Sequence, residues 1–132
     1  MGIDLEGMTI AHSGELLRKK KISSVELTQA YLEKTEAQNK TLNVYLEVFS
    51  DALQEARARD IDTDGQRLSP LHGIPLAIKD NILIRGKQCS AASQILSNYT
   101  AAYDATVIGK LREAGAVFLG RTNMDEFAMG GS

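Results

Sequence analysis

The most apolar part of this sequence contains a lysine, and that combination constrains the fold more than any other feature. Residues 71–84 read Leu-His-Gly-Ile-Pro-Leu-Ala-Ile-Lys-Asp-Asn-Ile-Leu-Ile. A short apolar run after a Gly-x-Pro turn is typical of a buried strand, and Pro75 can occupy its first position. Because side chains alternate along a strand, Lys79 shares a face with Ala77, and Ile78 lies on the opposite face.

Two interpretations of this lysine follow from the residues alone. In the first, Lys79 is part of the strand, and desolvation makes its amine a possible base. In the second, the strand ends at Ile78, and Lys79, Asp80 and Asn81 form a solvated turn. Because most lysines are solvated, the residues by themselves favour the second interpretation.

Length and composition indicate one ordinary soluble domain. The chain has 132 residues, of which 43% are hydrophobic and 24% are charged. Its net charge of -2 excludes the strongly basic field that non-specific nucleic-acid binding requires. The single cysteine, Cys89, excludes an internal disulfide and is expected to be a small buried hydrophobe. No signal-peptide pattern or membrane-spanning segment is found, so the expected compartment is the cytoplasm.

Capping signals predict helices in the first half of the chain. Thr9 is the candidate N-cap of a helix that ends near Lys20. Ser23 and Glu26 fit a capping box for a second helix that reaches about Asn39. A third, alanine-rich helix is predicted over residues 50–60, followed by a polar loop over residues 62–67.

The second half of the chain predicts a crossover unit. A helix is expected from about Asp104, its candidate N-cap, to Ala114, and Gly115 is placed to end it. Its apolar stripe consists of Val107, Ile108 and Leu111. A buried strand follows over residues 116–120, and a strand, a helix and a strand in this order predict a parallel or mixed sheet.

One further strand is predicted near the middle of the chain. Residues 42–49 alternate, with Leu42, Val44, Leu46 and Val48 on one face. Only a few strands are identifiable, and the apolar runs have the character of strands buried on both faces. We therefore expect the N-terminal portion of a single larger domain, mainly helical over about residues 1–60 and strand-helix-strand over about residues 61–132.

The ordered segments of this chain resemble those of the amidase signature family. The segments are Gly73 to Asn81, Asp104 to Val107, Leu111 to Ala116 and Gly120 to Gly130. The last of them, together with the N-terminal helices, is similar to the A subunits of tRNA-dependent amidotransferases within that family. The resemblance covers nearly the whole chain and implies an α/β fold with a mixed central sheet flanked by helices.

The resemblance also implies the site residues. The family uses a Ser-Ser-Lys triad, in which a lysine acts through a bridging serine to activate a nucleophilic serine that attacks a carboxamide. Lys79 matches that lysine, and Met129, Gly130 and Gly131 are expected to line the substrate pocket. Both serines belong to a downstream segment that this chain is expected to lack. Ser132 is therefore not expected to be the nucleophile, and the 132-residue chain alone is expected to be inactive.

By the same resemblance, the activity is glutamine hydrolysis that supplies ammonia for the ATP-dependent conversion of Glu-tRNA(Gln) to Gln-tRNA(Gln). The expected partners are the B and C subunits of a heterotrimer, with glutamine and tRNA as substrates and no membrane. No cofactor or metal is expected in this chain, since ATP and Mg²⁺ are used by the partner subunit. Two alternatives stay open: a stand-alone amidase of the same family, and a truncated fragment that only binds partners.

Overall fold

The computed structural model describes residues 3–62 and 69–131. Most of the predicted polar loop over residues 62–67, and Ser132, lie outside the described residues. The elements in chain order are helices α1 (Ile10–Arg18) and α2 (Ser24–Leu42), strand β1 (Tyr45–Val48), helix α3 (Ala52–Ile61), strand β2 (Pro75–Lys79), helix α4 (Thr106–Glu113) and strand β3 (Val117–Thr122), with short 3-10 turns at Gln94–Leu96 and Glu126–Ala128.

The three described strands form one sheet in the order β1-β3-β2. β2 and β3 are parallel and are connected through α4, while β1 pairs with β3 in the antiparallel sense. The predicted mixed sheet flanked by helices is therefore confirmed. No helix in the described part of the chain is both long and apolar enough to cross a membrane.

A β-bulge between β2 and β3 decides which side chains share a face of the sheet. The register shifts by one residue after the pair Leu76–Phe118, and Ile78 then pairs with Arg121. Because paired residues of parallel strands point to the same side, Phe118 and Arg121 both lie on the face of Ile78. We call this the closed face. The other side, which carries Ala77 and Lys79, is the open face.

The main hydrophobic cluster lies on the closed face, where α4 covers the sheet. Its buried members are Phe49, Ile78, Ile84, Ile108, Ala116 and Phe118. Within α4, Ile108 is fully buried and Leu111 is partly buried against the cluster, as predicted. Val107 is 46% exposed, so its assignment to the apolar stripe is wrong. One residue is a rotation of about 100° around a helix, and Ala105 contributes to the contact instead.

The predicted N-caps of the first two helices are confirmed, and α2 continues to Leu42, three residues beyond its predicted end near Asn39. The Thr9 hydroxyl accepts a hydrogen bond from the His12 amide, and Ser23 and Glu26 form the reciprocal capping box. The predicted cap at Asp104 is wrong, because Ala105 occupies the N-cap position of α4. The Asp104 carboxylate instead accepts a hydrogen bond of 2.7 Å from the amide of Arg85.

The predicted strand over residues 42–49 is shorter and less buried than expected. Leu42 is the last residue of α2, and Asn43 ends that helix in the left-handed region at φ 51°. Val44, Leu46 and Val48, predicted to share one face of the strand, are all exposed. The register places Val48 opposite Gly120, which also pairs with Ala77, so Val48 belongs to the open face.

Candidate active site

Lys79 is the last residue of β2 and lies at the carboxyl end of the parallel strand pair. It pairs in register with Thr122, and both Lys79 and Ala77 are exposed on the open face. The interpretation that the strand ends at Ile78 is therefore wrong. The expectation of a strand buried on both faces is also wrong for β2, because no element in the described part of the chain covers these two side chains. Carboxyl ends of parallel strands are the usual place for ligand sites in α/β proteins.

The next residue, Asp80, is buried with only 1% of its surface exposed. Its Oδ1 accepts hydrogen bonds from Arg121 Nη1 at 2.7 Å and from the Ser90 amide at 3.2 Å. Its Oδ2 accepts from Ser90 Oγ at 2.5 Å and from the Ala92 amide at 2.9 Å. The interpretation of Asp80 as part of a solvated turn is wrong, because a carboxylate with four donors around it is stable away from water.

The main chain of Asp80 is held as firmly as its side chain. Its amide donates to the Thr122 carbonyl at 3.2 Å, which continues the ladder between β2 and β3 by one residue. Its carbonyl accepts from the Ala91 amide at 2.9 Å and from Cys89 Sγ at 3.1 Å. The peptide units before and after Asp80 are therefore both fixed by hydrogen bonds.

Arg121 connects three separate parts of the chain to the closed face. Besides Asp80, its Nε donates to Glu47 Oε2 of β1 at 2.8 Å, and its Nη2 donates to Gln88 Oε1 at 2.8 Å. A planar guanidinium suits this arrangement because its donors point in fixed directions. Arg121 sits on the central strand, so it fixes β1, the end of β2 and the loop that begins at Gln88 relative to one another.

The charges in this cluster stabilise each other. Burial alone would raise the pKa of Asp80, but hydrogen bonds donated by Ser90, Ala92 and Arg121 outweigh it and hold that pKa below its ordinary value. Burial would likewise lower the pKa of Arg121, and its contacts with Glu47 and Asp80 raise it instead. Both groups are therefore ionised across the neutral pH range.

The loop of small residues after Gln88 carries unusual backbone conformations. Ala91 and Ala92 have φ values of 48° and 52°, and Phe127 and Ala128 in the facing segment have values of 53° and 58°. The Phe127 amide donates to the Ala91 carbonyl at 3.0 Å, which joins the two segments directly. Non-glycine residues in the left-handed region are strained, and such residues concentrate at functional sites.

The residues expected to line the substrate pocket come directly after this strained segment. Met129, Gly130 and Gly131 are exposed. A Cβ added at Gly130 would lie 2.6 Å from Asp125 Cγ, so the close approach of the chain there requires glycine. Their role in substrate binding stays a prediction, as does the catalytic role of Lys79.

Cys89 is buried, as predicted, and has no features of a nucleophile. It is 6% exposed, and burial together with the negative charge of Asp80 raises the pKa of its thiol. His12 is exposed, and His72 Nε2 lies 2.9 Å from the Arg59 carbonyl oxygen. In residues 3–62 and 69–131 no group of three or more potential metal-ligating side chains is found.

A cleft lies away from this cluster, at the N-terminus of α2. It has a volume of about 770 Å³ and is lined by residues that include Arg18, Ser24, Asp60 and Gly73, but by neither Lys79 nor Met129. The Asp60 carboxylate already accepts hydrogen bonds from the first amides of α2, at 2.6 Å and 3.0 Å. The N-terminus of α2 in this cleft is therefore already capped, and the cleft is not lined by the predicted site residues.

Lys79 is predicted as a site residue from the sequence, but the cluster around Asp80 is not. In the sequence Asp80 is only a neighbour of the lysine, and Arg121 and Ser90 have no predicted role. The available signals are an aspartate inside an apolar run and an arginine at the end of the apolar segment 117–120. Each is weak alone, because ordinary strand ends carry charged residues.

Comparisons with known proteins match this geometry to one family. The family model "Amidase" matches residues 26–132. The A subunit of glutamyl-tRNA(Gln) amidotransferase from Prosthecochloris aestuarii is 52% identical over 120 residues, which cover 89% of this chain and 25% of that protein.

Among solved structures, the native peptide amidase of Stenotrophomonas maltophilia superposes with a TM-score of 0.84 at 40% identity, over 91% of this chain and 25% of that one. The A subunit of glutamyl-tRNA(Gln) amidotransferase from Thermotoga maritima superposes with a TM-score of 0.72 at 34% identity, over 98% of this chain and 26% of that one. The chain spans about a quarter of the length of the relatives that it matches. With the family model matched over most of its residues, the chain belongs to the amidase family.

Proposed function

We propose that this chain is the N-terminal part of the glutamine-hydrolysing subunit of a tRNA-dependent amidotransferase. The observation that carries the proposal is the position of Lys79, exposed at the carboxyl end of β2 and followed by the fixed residue Asp80. The whole protein would hydrolyse glutamine and supply ammonia for the ATP-dependent conversion of Glu-tRNA(Gln) to Gln-tRNA(Gln). The names of two curated relatives that match this chain at 52% and 43% identity support this substrate.

In this proposal Lys79 is the base that activates a serine nucleophile. A serine hydroxyl is a poor nucleophile at neutral pH and requires an adjacent base. A lysine amine can serve only when it is neutral, and removal from water favours the neutral form. Lys79 is exposed in this chain, so its basic role requires the remainder of the protein to cover the open face and to bring the serines to it.

The partners and compartment belong to the same proposal. The B and C subunits would complete the heterotrimer, and the partner that uses ATP and Mg²⁺ would amidate the tRNA-bound glutamate. This chain would supply none of the groups that hold ATP or the metal ion. The complex would act in the cytoplasm.

A stand-alone amidase is the second candidate function. It is favoured by the superposition, since the peptide amidase matches with a TM-score of 0.84 and the Thermotoga maritima protein with 0.72. Both candidates use the same lysine chemistry and differ in the amide that they accept. The whole protein releasing ammonia from glutamine and amidating Glu-tRNA(Gln) with its partners would select the first. Hydrolysis of peptide amides without any effect of partner subunits would select the second.

The role of Lys79 is tested in the whole protein assembled with its partner subunits. Lys79→Ala should lower ammonia release from glutamine by at least about 1,000-fold, the scale on which loss of a triad member acts. Lys79→Arg should fail equally, because a guanidinium does not give up its proton at working pH. Lys110→Ala, at an exposed position of α4, is the matched control, and residues 1–132 alone are the negative control.

The arginine variant decides between two roles. Near-normal hydrolysis by Lys79→Arg would mean that the residue contributes positive charge and not basicity. That result would exclude the proposed mechanism even if Lys79→Ala were inactive.

A further inference from the structure

We propose that Asp80 is a positioning residue. It fixes the position of Lys79 on one side and of the segment over residues 126–131 on the other. This inference rests on the proposed function, because it assigns Asp80 a role in the chemistry of Lys79. It is carried by the contacts of Asp80, which reach the end of β2, the loop over residues 88–93 and, through that loop, the segment after β3.

Asp80 is connected to Lys79 through the end of β2. The two residues are adjacent and point to opposite faces, so the lysine side chain can meet substrate while the aspartate is held in the protein. The Asp80 amide bonds to Thr122, its carbonyl accepts from two donors, and its carboxylate accepts from four. A rotation of the strand end that moved the Lys79 amine would have to break several of these hydrogen bonds.

The buried ion pair of Asp80 and Arg121 contributes orientation more than net stability. Removing two charges from water is expensive, and well-packed apolar residues of similar volume are often equally or more stable. Net stability therefore does not account for Asp80 and Arg121 at this position. An apolar pair cannot supply directional hydrogen bonds. Arg121 donates to Glu47, Asp80 and Gln88 at 2.7–2.8 Å, each through a different nitrogen. The pair fixes an orientation, which is the requirement of a catalytic site.

Hydrogen bonds also connect Asp80 to the predicted substrate segment. The carboxylate holds the amides of Ser90 and Ala92, between which Ala91 adopts φ 48°. The Ala91 carbonyl accepts from the Phe127 amide. Two residues further along the loop, Ser93 Oγ donates to Glu126 Oε1 at 2.7 Å. Asp80 thus lies between the lysine and the segment that leads to residues 129–131.

The test separates folding from activation of the nucleophile. The whole protein, in complex with its partners, is reacted with a serine-directed fluorophosphonate. The amplitude of labelling reports the fraction of folded sites, and the second-order rate constant reports how strongly Lys79 activates the serine. A residue with a structural role alone changes the amplitude and leaves the rate constant of the folded fraction unchanged.

Asp80→Asn is the main variant. Its amide nitrogen would face donors in place of an acceptor oxygen, so the strand end and the loop would move. Misplacement by about 1 Å can lower a rate by about 100-fold, and we expect a fall of that order in the rate constant. Asp51→Asn is the matched control, since Asp51 also pairs with a cation, Lys87 Nζ at 2.8 Å, but has no hydrogen bond to the Asp80 cluster. Its rate constant should equal that of the wild type.

Two serine variants test separately the contact with Asp80 and the contact with the segment after β3. Ser90→Ala removes the 2.5 Å hydrogen bond to Asp80 and should lower the labelling rate constant less than Asp80→Asn does. Ser93→Ala breaks the contact with Glu126 and should raise the KM for glutamine with an unchanged labelling rate constant.

The outcomes distinguish this inference from the proposed function. If wild type and Lys79→Ala are labelled at the same rate, the proposed function is wrong. If labelling depends on Lys79 but Asp80→Asn retains the wild-type rate constant, the positioning role is wrong. Should Asp80→Asn give no folded sites, Ser90→Ala decides, and an unchanged rate constant in that variant overturns the inference.

Discussion

The two faces of the β2–β3 pair differ sharply in how far their side chains are buried. Lys79 on the open face is exposed to solvent, whereas Asp80 on the closed face is almost completely buried. The same alternation separates exposed Ala77 from buried Ile78. The strand is thus held from one side, and its other side remains available for chemistry or for further segments of the protein.

The difference shows that contacts on the closed face orient the strand that carries Lys79. The open face carries the group with a proposed chemical role but few contacts that would orient it. The closed face carries an apolar cluster around Ile108 and a polar cluster around Arg121, and both act on the same strands. The bulge after Phe118 makes this possible, because it places the apolar and the charged residue on one face.

The largest expected effect on stability is at the buried ion pair. Arg121→Met leaves the Asp80 carboxylate buried without its cation, and the free energy of unfolding should fall by about 3–5 kcal/mol. Arg112→Met is the matched control, since its ion pairs with Glu55 and Asp104, at 3.7 Å and 3.5 Å, are partly exposed. Its loss should be about 1 kcal/mol or less. Urea unfolding of the two variants measures both values.

Equal losses in the two arginine variants would contradict the comparison. They would mean that the charged cluster on the closed face contributes no more than an ordinary surface pair. A larger loss in Arg112→Met would place the critical contact at the ring of Phe118, over which the Arg112 guanidinium lies at 5.3 Å.

A smaller effect is expected where the closed face is apolar. Ile108→Ala removes a fully buried side chain from the cluster and should lower the free energy of unfolding by about 2–5 kcal/mol, toward the lower end if neighbours relax. Val107→Ala, one residue earlier in the same helix, removes a side chain that is 46% exposed and should change it by about 0.5 kcal/mol or less. Thermal unfolding measures the difference. Similar losses would show that α4 packs through a different face.

The sequence predicts the local features well because their causes are local. The capping box of Ser23 and Glu26 and the end of α4 at Gly115 depend on residues within a few positions of each other. The parallel pairing of β2 and β3 follows from a strand, a helix and a strand in order. These parts need no knowledge of distant contacts.

The sequence does not predict the cluster at the site because its contacts are not local. Arg121 is 41 positions from Asp80 and 74 from Glu47, and nothing near either acid indicates the pairing. The exposure of the β1 side chains is not predicted for a related reason. Alternation shows that Val44, Leu46 and Val48 can be covered, but whether a segment covers them depends on the rest of the chain.

The smallest expected effect on stability is on the open face, where a thiol can report access directly. Ala77→Cys should change the free energy of unfolding of residues 1–132 by no more than about 0.5 kcal/mol, because the site is exposed. The introduced thiol should react readily with iodoacetamide at pH 8. Cys89 should react far more slowly, because it is buried and because burial and the charge of Asp80 raise its pKa, so that less thiolate is present. Alkylation of Cys89 should therefore increase only as pH rises above the ordinary thiol range.

Peptide mapping by mass spectrometry separates the two sites. Reaction at both sites with similar rates would show that the packing around Cys89 opens in solution. Protection of the introduced thiol in the whole protein would show that a further segment covers the open face.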